Sequence, residues 1–341
     1  MDPSLYITVP TKRGFKYSVY HSKGSDATKP ALLLLHGFPS SSYDWRHQVT
    51  YFQRRGHSII VPDMLGYGGT DKPTDAEAYT HTLMAQDMID VLDAIHGDER
   101  VIAIGHDWGC VVVSRLANLH GHRFIAYAFL AVGYNVPNPS IPYSQVLAYT
   151  AQLVGYELFG YWSFFAEDGA DNIIKDHFDS FFSNLLSVDP EDSKKNFTPT
   201  GAFKATILSD KINSLPTYLT QEEYNTQKAI LTKNGLTAPL CWYKVVTSSI
   251  CMEDAKSIPV EKYHIASPVF LAAAKRDPVA VAALAVASTQ KFCPNATIKE
   301  YDACHWLLWE AKDQVNTDLE EWIGKLSSTS CTVSNSVSFI M

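Results

Sequence analysis

The sequence predicts an α/β protein: a mostly parallel sheet covered by helices on both faces and interrupted by a helical insertion. Three observations carry this reading. In the first third, short continuous apolar runs alternate with longer amphipathic ones, the rhythm of strand–helix–strand units. Three prolines within positions 135–142 stop that rhythm. It resumes near position 268 and runs to a last amphipathic helix at 313–326.

Positions 5–9 and 15–20 read as an opening pair of strands around Lys12-Arg13-Gly14. The runs 31–35, 58–61 and 101–105 are apolar and of strand length, as buried parallel strands are. Between the last two, 81–96 sets Leu83, Met88, Val91, Leu92 and Ile95 largely on one helical face, and Gly97 stands where a C-terminal cap belongs. A helix at 109–119 and a buried strand at 124–132 follow. From about 146 to 246 the texture is helical and aromatic; a strand at 268–274, a helix at 280–290 and a strand at 297–301 then precede the closing helix. The chain thus divides into a core built from 1–136 and 251–326, an insertion at 137–250, and a loose Ser- and Thr-rich tail at 327–341.

A chain of 341 residues with 46% hydrophobic and 12% aromatic content can bury a sizeable core. Its 36 acidic residues outnumber 28 basic ones, and no long basic run occurs, which argues against nucleic-acid and anionic-membrane partners. No apolar run approaches the length that crosses a bilayer, and the N-terminus lacks the basic start and apolar stretch of a secretory signal. Six cysteines are scattered without a CxxC pair, so free thiols in a reducing, cytoplasmic setting are expected. No nucleotide-binding glycine fingerprint or phosphate loop is present.

The chemistry concentrates at strand ends. Gly105-His106-Asp107-Trp108-Gly109 follows a buried strand and opens a helix, a context in which small residues allow a sharp turn that presents one side chain. The plain alternative is an aspartate capping the next helix. His36-Gly37-Phe38-Pro39 follows the strand at 31–35, where a simple Gly-Pro turn would explain the residues but not their position. Asp277 lies just beyond the strand at 268–274, and His305 follows the last strand within Asp302-Ala303-Cys304-His305-Trp306. The other eleven of the 12 histidines read as structural or solvated. Asp302 rivals Asp277 as the partner of His305 but sits on the same short segment, whereas Asp277 ends the neighbouring strand and can reach across.

Together His36-Gly37-Phe38-Pro39, Asp63-Met64-Leu65-Gly66-Tyr67-Gly68, Gly105-His106-Asp107-Trp108-Gly109 and His305-Trp306 resemble the soluble epoxide hydrolases of the α/β-hydrolase superfamily, from about residue 10 to 326. The resemblance implies a sheet of about eight strands, an inserted helical cap and a cleft between them. It assigns Asp107, Asp277 and His305 as nucleophile, acid and base, and the backbone N–H groups of Phe38 and Trp108 as the oxyanion hole. It also implies two cap tyrosines that hold the epoxide oxygen. One precedes a Phe-Gln-Glu-Pro-Gly segment in the family; the stretch 161–169 resembles it and assigns Tyr161, departing at Ala166 and Asp168. The other ends a Pro-Leu-Asn-Trp-Tyr string, which Pro239-Leu240-Cys241-Trp242-Tyr243 resembles, assigning Tyr243. Six aromatics in positions 156–165 make packing the competing explanation, with Tyr156 as a rival to Tyr161.

A carboxylate with a pKa of about 4 is ionised at pH 7 and attacks a saturated carbon without a base, giving an alkyl ester. Phenols with a pKa of about 10 keep their protons and can donate to a developing alkoxide. The expected reaction opens a small apolar epoxide with water to a diol and needs no metal or cofactor. Rivals are a haloalkane dehalogenase, a biosynthetic epoxide-opening or cyclising enzyme, and a non-catalytic ligand-binding protein on the same scaffold. The dehalogenases commonly carry Asn where Phe38 stands, fluoroacetate-type members carry Arg where Trp108 stands, and a serine esterase would need serine at 107.

Overall fold

The computed structural model describes residues 1–333. Eight strands form one sheet: β1 (Tyr6–Pro10), β2 (Lys16–Ser22), β3 (Leu32–Leu35), β4 (Ile59–Pro62), β5 (Val101–His106), β6 (Phe124–Leu130), β7 (Val269–Ala274) and β8 (Ala296–Tyr301). Their spatial order is β1-β2-β4-β3-β5-β6-β7-β8. The first two strands form an antiparallel hairpin and β2 joins β4 antiparallel; every other pairing is parallel.

Burial explains the sequence texture. Leu32 to Leu35 of β3 and all of β4, β5 and β7 are buried, because helices cover both faces and leave no side for polar residues. Edge strand β8 carries Lys299 and Glu300 and is largely exposed, which discourages pairing with another chain. The helix His81–His96 ends at Gly97, whose φ of 62° suits glycine. Helices also occur at Trp108–Leu119, Ala282–Phe292 and Lys312–Val333. The rest of the Ser- and Thr-rich tail, 334–341, lies outside the described residues.

Between β6 and β7 the described chain contains nine α-helices, from Tyr143–Val154 to Ile250–Lys256, and no strand. Hydrogen bonds tie this segment to the sheet unit: Arg46 Nε donates to Glu223 Oε1 at 2.8 Å and Gln227 Nε2 to Asp44 Oδ1 at 2.8 Å. Cys110, Cys241, Cys251, Cys293 and Cys304 are unpaired. Among the described residues, no helix is long and apolar enough to cross a membrane.

Parallel strands place their carboxyl ends along one sheet edge, where the loops after β3, β5, β7 and β8 converge. Three glycines permit the approach. A Cβ on Gly109 would lie 2.0 Å from the Leu35 carbonyl oxygen, one on Gly105 would lie 2.6 Å from Cys110 N, and one on Gly37 would lie 2.1 Å from Asp107 Oδ1. Gly324, exposed in the last helix, faces nothing within 4 Å. Gly109→Ala is therefore expected to cost roughly 3 kcal/mol or more through backbone overlap, while Gly324→Ala gains about 0.8 kcal/mol of helix propensity. Urea midpoints of the two variants against wild type check the opposite signs.

Candidate active site

Asp107 ends β5 at φ 53° and ψ −126°, a strained left-handed-side conformation that lifts its side chain out of the sheet before the helix Trp108–Leu119 begins. Its carboxylate does not cap that helix. Instead Oδ1 accepts the Phe38 N–H at 2.8 Å, across the turn after β3. The Trp108 amide borders the same turn, since a Cβ on Gly37 would sit 2.6 Å from its nitrogen.

His36 holds that turn. Its Nε2 accepts the Met64 N–H at 2.9 Å, so Nδ1 carries the proton and donates to the Gly37 carbonyl at 3.0 Å. Burial keeps this imidazole neutral, with a pKa pushed down to about 4. Asp63 fixes the adjoining loop by accepting the Ser42 and Gly69 N–H groups, each at 2.9 Å. The glycines and histidine of these two motifs thus have structural work beside the site.

The second oxygen of Asp107, Oδ2, lies 3.4 Å from His305 Nε2. His305 Nδ1–H donates to Asp277 Oδ2 at 2.6 Å. Asp277 stands just beyond β7, on the strand next to the one that precedes His305. Its Oδ1 accepts the Val279 and Ala280 N–H groups at 2.8 and 2.9 Å, which aims Oδ2 at the imidazole. The rival Asp302 instead accepts Arg276 Nε at 3.1 Å, with its carboxylate largely in solvent.

Electrostatics follow from this geometry. Burial disfavours a charged His305, but Asp277 and then Asp107 outweigh it and push the pKa up to about 10. Burial likewise disfavours charge on Asp107 and Asp277, and the facing imidazolium lowers both carboxyls below the usual range. The raised histidine contributes stability that is complete below its unfolded pKa of about 6.5 and lost as pH rises through the folded one. His106, next to the elbow, was read from sequence as one of the structural histidines. Burial first, then the charge of His305, pushes it down to about 4, so it is neutral; its Nε2–H donates to the His305 carbonyl at 2.9 Å and braces the loop that carries His305.

Tyr161 and Tyr243 are both buried, with ring centroids 6.1 Å apart, on the helices Tyr161–Ala166 and Thr237–Thr247, which pack together. Tyr161 stacks on Phe197 at 4.3 Å, and Tyr243 meets Phe38 edge-on at 4.8 Å and Trp108 at 5.5 Å. Burial raises both phenols well above the ordinary range, and the negative Asp107 adds to the effect in each. Tyr156 is committed elsewhere: its hydroxyl donates to the Pro278 carbonyl at 2.6 Å.

A cavity of about 40 Å³ lies over the carboxylate, lined by Phe38, Asp107, Tyr161, Phe197, His305 and Trp306 among others. The sequence reading missed Phe197 and Trp306 as walls; only aromatic richness signalled them. A larger open depression of about 800 Å³ lies at the opposite sheet edge, around Ala31 and Ile102, with charged walls and no nucleophile facing a base.

An aspartate at a strand-end turn, a second carboxylate and a histidine in that chain order, on this sheet, match the layout of a hydrolase scaffold. The chain belongs to the alpha/beta hydrolase fold family, which it matches over residues 30–312. It is 28% identical to Epoxide hydrolase 3 of Siraitia grosvenorii, over 95% of this chain and 100% of that one. It is 31% identical to Epoxide hydrolase A of Mycobacterium tuberculosis (strain H37Rv), over 63% of this chain and 66% of that one. The solved structure of an epoxide hydrolase from an endophytic Streptomyces matches with a TM-score of 0.81 at 26% identity, covering 95% of this chain and 96% of that one.

Proposed function

We propose that the protein is an epoxide hydrolase that converts an apolar epoxide to a vicinal diol through an alkyl ester on Asp107, under a helical cap formed by the 137–250 insertion. One observation carries the reading: Asp107 Oδ1 is held by the Phe38 amide while Oδ2 faces His305 at 3.4 Å, beneath a cavity that the Tyr161 ring also lines. The named relatives, all epoxide hydrolases, support the same reaction class.

In the first step Oδ2 bonds to a ring carbon as the C–O bond breaks, and the freed oxygen takes a proton from Tyr161 or Tyr243. Phenols that keep their protons so firmly donate only to a stronger base, and the developing alkoxide is one. The ester removes one of the two negative charges facing His305, so its pKa falls, its proton passes to the phenolate and the ring becomes a base. It then takes a proton from water as that water attacks the Asp107 carbonyl carbon. The oxyanion forms on Oδ1, against the Phe38 and Trp108 amides. Collapse expels the diol oxygen, which takes the proton held on His305, and the proton of the regenerated Asp107 carboxyl returns to His305.

The two steps should separate with pH. In single-turnover experiments alkylation stays flat between about pH 6 and 9, because Asp107 is ionised throughout, while ester hydrolysis slows toward the acid end as His305 holds its proton. Equal acid sensitivity of both steps would contradict these roles. The defining assay sets aryl and aliphatic epoxides beside haloalkanes: diol without halide release is expected. Halide release with inert epoxides would make the enzyme a dehalogenase.

A further inference from the structure

The geometry points to a second, anion-recognising pocket beyond Trp108, built to take the carboxylate of an apolar organic acid on Arg115. A cavity of about 180 Å³ lies there, against Trp108, Val111, Arg115, His81 and Trp162. Trp108, Val111 and Arg115 recur at helical spacing on one face of Trp108–Leu119, and Arg115 stands about 12 Å along that helix from Asp107. Trp108 and Trp162 meet at 5.3 Å between centroids on its wall, and Tyr161, which lines the Asp107 cavity, packs against Trp162 at 6.3 Å.

Arg115 is 3% exposed, yet no carboxylate among the described residues pairs with it. Its Nη atoms donate only to neutral oxygens, Asn135 O at 2.8 Å, Asn135 Oδ1 at 3.0 Å and Asn118 Oδ1 at 3.3 Å. Asp254, an acidic neighbour, is held by the Thr82 N–H and hydroxyl. Two buried nitrogens of residues that line it, Arg115 Nε and His81 Nε2, have no hydrogen-bond partner among the described residues. Burial and the charge of Arg115 push His81 down to about 3, so the positive charge here belongs to Arg115 alone. A buried, unpaired guanidinium is costly, and an incoming carboxylate offsets that cost with charge-assisted hydrogen bonds. The remaining walls, including Val111, Val146 and Phe159, are apolar and suit a hydrocarbon body.

The test is calorimetric titration with decanoate and, as its uncharged counterpart, decan-1-ol; it reads binding and does not depend on the reaction assigned to Asp107. Wild type is expected to bind decanoate about 10- to 100-fold more tightly than decanol, and Arg115→Met to erase that preference while leaving decanol unchanged. Equal binding of the two probes by wild type, or undiminished decanoate binding by folded R115M, overturns the proposal. Arg115 also holds Asn118 and Asn135, so His81→Phe provides a second variant that keeps the ring stacked on Trp108. It should weaken decanoate about threefold or more with decanol unaffected, and unchanged decanoate binding would count against the pocket. Competition by decanoate against a small neutral epoxide identifies the pocket as the far end of the substrate site. Inhibition without competition identifies a separate acidic ligand.

Discussion

His305→Gln is expected to form the alkyl-enzyme and then stall, leaving a mass equal to that of the epoxide on the peptide that contains Asp107. The reason is that the two steps ask different things of the site. Attack by Asp107 needs an ionised carboxylate, an electrophilic oxygen partner and correct aim, and the Phe38 N–H continues to hold Oδ1 in the variant. Hydrolysis needs a group that accepts a proton from water, which a glutamine amide cannot do. Loss of a general base removes on the order of 10²–10⁴ in rate, so the ester should persist for minutes where wild type clears it. The substitution also removes the cation that lowers the Asp107 pKa, against burial that raises it, so the experiment belongs at about pH 8, well above an ordinary carboxyl. Asp107→Asn serves as the matching control, with neither adduct nor turnover. No adduct in H305Q, with a substrate that wild type converts, would sink the ester route.

How far the sequence could be read depends on the distance over which each choice is made. Strands β3, β4, β5 and β7 were legible because burial on both faces leaves only apolar residues, a local signature. The helix His81–His96 was legible to the residue because one stripe faces the core and Gly97 stops it. The helix Arg46–Gln53 escaped notice, since its polar string is held by contacts distant in sequence, such as Gln48 Nε2 to the Leu308 carbonyl at 2.9 Å. The elbow could be read from Gly-x-Asp-x-Gly because the glycines answer a backbone approach that any side chain would block. Which partner His305 faces could only be argued from strand neighbours, and the structure sets Asp277 against it while Arg276 holds Asp302. Aromatic density alone does not distinguish Tyr156 from Tyr161, and only the family resemblance of 161–169 does; the Pro278 carbonyl, 122 positions away, occupies the Tyr156 hydroxyl. Arg115 was invisible for the same reason, because an unpaired charge is a property of surroundings and not of spacing.

Replacing Tyr161 and Tyr243 together by Phe should nearly abolish alkylation while leaving the fold intact. A phenylalanine ring keeps the stacking of Tyr161 on Phe197 and the edge contact of Tyr243 with Phe38, so the packing term changes little. What disappears is the pair of O–H donors that the proposed mechanism sets against the alkoxide as the ring opens. Without them the leaving oxygen must bear its charge inside an aromatic pocket, where burial already opposes ionisation of every neighbour. Deleting one such donor typically lowers the rate by about 10²–10³. Each single variant should therefore lose up to about that much in single-turnover alkylation, and the double variant more than the two losses combined, because in either single variant the remaining phenol still donates. Thermal melting within a few degrees of wild type separates this loss from misfolding. The ester-hydrolysis rate, measured on whatever adduct forms, should change far less than alkylation, because water attacks a carbonyl whose oxyanion rests on backbone amides. A double variant that alkylates within about tenfold of wild type would mean that these phenols only pack, and that the donor to the epoxide oxygen lies elsewhere.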